Sequence, residues 1–392
     1  MDFTHTPSCS AVVPAPTSSR RTFFRPGSWR AFAGLLVGTI VVTGCVSGLG
    51  PRALRQEQTD YNEQVVASSN EQLLLNLVRL RYNDTPLFLG IGTIVAQYSL
   101  ESRIGGGANL SLKPSQSDGY NLNGGATWSE RPTVTVVPLQ GSEFATQMMS
   151  PIPTDTITIL SQTGWSIERL LMVCVQRING VGNASSAMGP TPDDAPNYKA
   201  MAELAQRLRR LQKAGLWAIS HNQSKVPIFW LREPTQSNQL TNSLSEDVSS
   251  VRRLLELPET TNEFTVTSFP FKRRPLEVAL RGKTLLGTMF YLSQAVEVPI
   301  ADVQKGVVNQ THLSDGTPFD WSQLLGGIFR VQSAPSKPTT AWVAIKHRGH
   351  WFYIDDTDRE SKTTFNLLTL VYSMQTATLQ GKSPLLTLPI SP

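Results

Sequence analysis

Cysteine is scarce in this chain, with three among 392 residues, which excludes a disulfide framework. Long apolar runs are missing too. The one membrane-like stretch, Ala31 to Val42 (AFAGLLVGTIVV), has about 12 residues, where a spanning helix needs about 20. Charge of one sign is also absent from the body. Arg20, Arg21, Arg25, Arg30 and Asp2 lie before residue 45, and beyond it 31 basic residues face 29 acidic ones. So balanced a chain has no field from which nucleic-acid binding would follow. No G-x-S-x-G elbow is present. What the sequence does hold is 40% hydrophobic residues, enough for a packed core. The composition is not that of a collagen-like or disordered chain, and the length suggests two or so domains.

The leader carries the strongest signal. Residues 1–30 are polar and basic, residues 31–42 are apolar, and Val42-Thr43-Gly44-Cys45 follows. A basic n-region, a short h-region and small residues before a cleavage point are the parts of an export signal. The last four residues resemble a bacterial lipobox. That resemblance implies diacylglycerol on the Cys45 sulfur, cleavage before Cys45, and an acyl chain such as palmitate on the new amino group. Each buried methylene contributes about 0.8 kcal/mol, so two or three chains anchor firmly. The plainer alternative is a buried helix that ends by chance in a cysteine. Ser19-Arg20-Arg21-Thr22-Phe23 resembles the twin-arginine export motif, with an ordinary basic n-region as the alternative. Val46 stands where an aspartate would suggest inner-membrane retention, so sorting to the outer membrane is expected.

Beyond the leader (1–44) and the lipidated cysteine with its tether (45–58), the pattern predicts an α+β fold. Helical and strand patterns are interspersed without sustained βαβ alternation. Apolar residues at three- and four-residue spacing, from Tyr61 through Val65, Leu73, Leu77 and Leu80, predict an N-terminal helix ending near Asn83. A long amphipathic β-hairpin follows. Tyr98, Leu100, Ile104, Leu110 and Leu112 alternate with polar residues on one arm, as do Tyr120, Leu122 and Trp128 on the other. Pro132 is expected to interrupt the second arm. Burying this face is worth on the order of 10 kcal/mol, whether protein or lipid covers it. As a spanning element it would need 9–11 residues per strand, aromatic anchors such as Tyr98, Tyr120 and Trp128, and further copies to close the edges. Helices, after a short strand at Thr133 to Leu139, complete residues 59–180. Residues 181–197 read as a loop, and 198–392 as an α+β C-terminal region.

The residues offer little chemistry. Gly282-Lys283-Thr284 and Gly381-Lys382-Ser383 lack the earlier glycine of a phosphate loop, since Glu277 and Thr376 stand there. His347 and His350 flank Arg348-Gly349, a hairpin turn, and a zinc site wants a third ligand, so no metal is expected. Cys174 reads as core. Arg207, Arg209, Arg210 and Lys213 read as a solvated helix face. Asp355, Asp356, Asp358 and Glu360 form the densest acid cluster. Thr357 with Glu360 fits a capping box at a strand-to-helix junction; calcium binding or an acid/base pair is the functional alternative.

Four strings resemble a family of Gram-negative bacterial lipoproteins that has no established activity. They are NEQLLLNLVRLRYNDT (70–85), GWSIERLLMVCVQRING (164–180), YLSQAVEVP (291–299) and WFYIDDTDRESKTTF (351–365). The expectation is a lipid-anchored, periplasm-facing outer-membrane lipoprotein with a non-enzymatic role in envelope structure, assembly or transport. It would have no cofactor, and its partners would be the membrane through its anchor, other envelope proteins and further copies of itself, not nucleic acid. The alternatives are an oligomeric export pore, to which each copy gives the hairpin at about 98–130, and an envelope enzyme using Asp355, Asp356 or Asp358 with His350.

Overall fold

A computed structural model describes residues 49–109, 119–190, 195–235, 239–269, 274 and 276–380. Those from Val66 onward belong to one structural unit. Helix α1, Leu49–Arg81, begins where the tether was expected. Pro51 falls in its first turn, where a missing N–H costs no helical bond. Leu73, Leu74, Leu77, Val78 and Leu80 are buried. Asn83 ends the helix at φ 56°, as an asparagine can. Buried Asn76 then fixes the exit. Its Nδ2 donates to Leu87 O at 2.8 Å and its Oδ1 accepts from Leu87 N at 2.9 Å.

The fold is α+β. The hairpin is longer than expected, with β1 at Leu89–Asn109 and β2 at Gly119–Pro138, and the two form a sheet of their own. Helices α2 (Ser142–Met149), α3 (Thr154–Gln162) and α4 (Ile167–Cys174) follow. A six-stranded sheet is then built from β3 (Val175–Ile178), β4 (Val181–Gly182), β5 (Trp217–His221), β6 (Pro227–Leu231), β7 (Glu263–Thr267) and β8 (Glu277–Gly282). Its order is β4-β3-β8-β7-β6-β5, antiparallel except for the parallel β7–β8 pair.

Helix α5 (Lys199–Lys213) packs between α4 and α6 (Gln239–Leu255). Met201, Leu204, Ala205, Leu208 and Leu211 form its buried stripe. Helices α7 (Leu285–Ser293), α8 (Ile300–Gln304) and α9 (Ser322–Leu325) lead to a three-stranded sheet ordered β10-β11-β9. Its strands are β9 (Gln332–Ala334), β10 (Ala341–His347) and β11 (His350–Asp355). Helix α10, Arg359–Gln380, ends the described chain. Gly282 is required where it stands. A Cβ there would lie 2.2 Å from Ile152 O, in the stretch whose Ile152 N donates to Lys283 O at 2.8 Å.

Candidate functional site

The hairpin is the element that sequence reasoning singled out. Its register places Leu100 opposite Trp128, Ile104 opposite Gly124, Gly106 opposite Leu122 and Ala108 opposite Tyr120. The two alternating series therefore face one another across the ribbon, as the period of two required. Tyr98 stands opposite Glu130. Leu110, Leu112 and the turn between the arms lie outside the described residues, as do Ser19, Arg20, Arg21, Phe23, Val42, Thr43, Gly44 and Cys45.

Pro132 does not interrupt the second arm. It pairs with Ala96, and the one register shift lies between Ile91 and Ile94. A two-stranded ribbon leaves alternate N–H groups of each arm outside the ladder, and a proline, which has none, fits such a position. At about 3.3 Å per residue the 21-residue arm is roughly 70 Å long. That is about twice what a membrane-spanning strand needs.

The acid cluster is drawn into the junction between β11 and α10. Asp355 accepts from Thr357 N (2.9 Å), Thr357 Oγ1 (2.6 Å) and Thr340 Oγ1 (2.6 Å). Those bonds hold its pKa down at about 2. Asp358, not Thr357, caps the helix: it accepts from Ser361 N at 3.0 Å and from Ser361 Oγ at 2.7 Å. Glu360 reaches across to Arg169, and Asp356 pairs with Lys362. His350 faces His347 across the β10–β11 turn. His347 Nε2 lies 3.0 Å from Asp84, which also accepts from Arg348 Nη2 at 2.9 Å. Burial would raise the pKa of Asp84, but these bonds outweigh it and the net shift is downward. Among the described residues, no group of three or more His, Cys, Asp or Glu could hold a metal ion, and no helix is long and apolar enough to cross a membrane.

Two clusters escaped the sequence. The basic face of α5 is not simply solvated, because Arg207 and Arg210 both donate to Asp247 of α6, at 2.7 Å and 2.6 Å. Lys283, within the rejected phosphate-loop string, is wholly buried. Its Nζ donates to Met172 O at 2.8 Å and lies 3.4 Å from the centre of the Tyr291 ring. Burial pushes its pKa down to about 7, and that of nearby Cys174, a buried free thiol, up to about 12. Comparisons with protein families, curated proteins and solved structures found no match.

Proposed function

We propose that the protein is a lipid-anchored, periplasm-facing outer-membrane lipoprotein with a non-enzymatic role in envelope structure, assembly or transport. The lipobox string Val42-Thr43-Gly44-Cys45, and the resemblance to Gram-negative lipoproteins, support the anchor. The observation that carries the role is the hairpin, whose arms of 21 and 20 residues pair with each other and with no other described strand. An isolated two-stranded ribbon is marginal in water, so a protein that keeps one this long uses it to engage something else.

The ribbon's length and continuous register also favour a second reading, the oligomeric export pore. In that reading about half of each arm crosses the bilayer, and neighbouring copies satisfy its free edges.

Native mass in mild detergent, measured for the full chain and for a version lacking residues 98–130, separates the two. A large discrete assembly that collapses without the hairpin supports the pore; a monomer in both cases rules it out. Incorporation of labelled palmitate, lost in Cys45→Ala, tests the anchor, and unchanged labelling in that variant would reject it.

A further inference from the structure

Arg177 of β3 and Arg281 of β8 stand directly opposite one another in the six-stranded sheet, and both are exposed. Opposed residues of an antiparallel pair lie about 4.5–5.5 Å apart at Cα, and like charges so placed destabilise the sheet. Glu203 and Asp247 neutralise Arg207, and Glu297 neutralises Arg330. Arg177 and Arg281 form no ion pair with any described residue. On the far side of Arg177 its cross-strand neighbour is Gly182, where a side chain would meet nothing within 4 Å. The row therefore holds two unneutralised guanidiniums beside open space.

Arg281 also lines a cleft of about 650 Å³, together with Thr154, Pro227, Thr267 and Phe269. Phe269 is 72% exposed and gives the cleft an apolar wall. Asp155 is the one carboxylate on the lining, and its Oδ1 lies 3.3 Å from His221 Nε2.

We infer that Arg177 and Arg281 form a clamp for a phosphate group, monoester or diester. A guanidinium presents a planar fork that matches two phosphate oxygens, and an anion between two such forks removes the repulsion the sheet otherwise carries. The exposed phenylalanine suits a phosphate that carries an apolar substituent. The clamp does not depend on the lipid anchor, because soluble phosphates present the same chemistry.

The test is thermal unfolding of the full chain in neutral-detergent micelles. Inorganic phosphate is titrated against sodium chloride at matched ionic strength, and in parallel the micelles are doped with phosphatidylglycerol or phosphatidylcholine. A saturable rise in Tm is expected with phosphate, with phosphatidylglycerol, or with both. A rise with phosphatidylglycerol alone identifies a lipid headgroup, and a rise with phosphate alone a soluble ligand. In the double variant Arg177→Gln/Arg281→Gln the half-saturating concentration should increase about tenfold or more. Its ligand-free Tm should equal or exceed that of the wild type, because the like-charge pair is gone. Arg281→Lys, which keeps the charge but loses the fork, should also bind more weakly. No rise beyond the chloride control, or an unaltered response in Arg281→Lys and the double variant, overturns the clamp.

Discussion

Lys283 shows what a single buried charge does to stability. Its side chain is fully enclosed, and burial holds its pKa near 7, below the ordinary 10.5. The unfolded chain therefore binds more protons between about pH 7 and pH 10.5, and stability rises with pH across that window. Below it both states are protonated and the full cost of burial stands. Replacing Lys283 with methionine removes that cost. It orphans no carbonyl, because Met172 O also accepts from Asn183 Nδ2 at 3.0 Å. The variant should be more stable than the wild type at pH 7, by about 1–4 kcal/mol, and the gap should narrow toward pH 10; urea unfolding at the two pH values measures it. Asp247 is the reverse case. Burial would raise its pKa, but the hydrogen bonds from Arg210 and Arg207 prevail and the net shift is downward. Its contribution is thus present at neutral pH and lost as acid protonates the carboxylate. Asp247→Ala should cost about 1–3 kcal/mol at pH 7, less than for a sealed pair because Arg210 is 52% exposed. The loss should shrink in urea melts as pH falls below 4. Neither residue was legible in the sequence. Lys283 looks like any GKT lysine, and the partner of Arg207 and Arg210 lies about 40 residues away, beyond any local period.

Among the elements, those with strong internal periods could be read directly. The alternation from Tyr98 to Trp128 predicted a hairpin and the facing of its two series, and the register agrees. Its full length was not legible, because Pro132 suggests a break wherever the count of neighbouring strands is unknown. In a ribbon of two that penalty disappears at every position whose N–H would point away from the partner arm. The start of α10 is a finer case. Thr357 and Glu360 match a capping box by spacing, yet Asp355 binds the Thr357 hydroxyl (2.6 Å) and the cap falls to Asp358. Asp358→Ala should therefore lower stability by about 1 kcal/mol, whereas Glu360→Gln should cost less. Paired denaturation midpoints decide between the two assignments.

At the scale of the whole molecule, the hairpin and the rest of the fold are separable. The six-stranded and three-stranded sheets contain neither of its arms. Gln97 stands opposite Arg131, so a two-residue turn such as Asn-Gly can close the chain after removal of residues 98–130. The shortened protein should unfold cooperatively, with a denaturant midpoint within error of the full chain's. A lowered midpoint would show that the ribbon supports the core.

The six-stranded sheet has the opposite character. Strand β3 has β4 three residues beyond it on one side, but its other partner is β8, with Ile178 opposite Leu280. About 100 residues lie between the two strands, and so distant a pair is slow to form. Until it does, β3 has only the two-residue β4 beside it. Refolding of the whole chain is therefore paced by a contact between residues far apart in sequence, wherever that folding takes place.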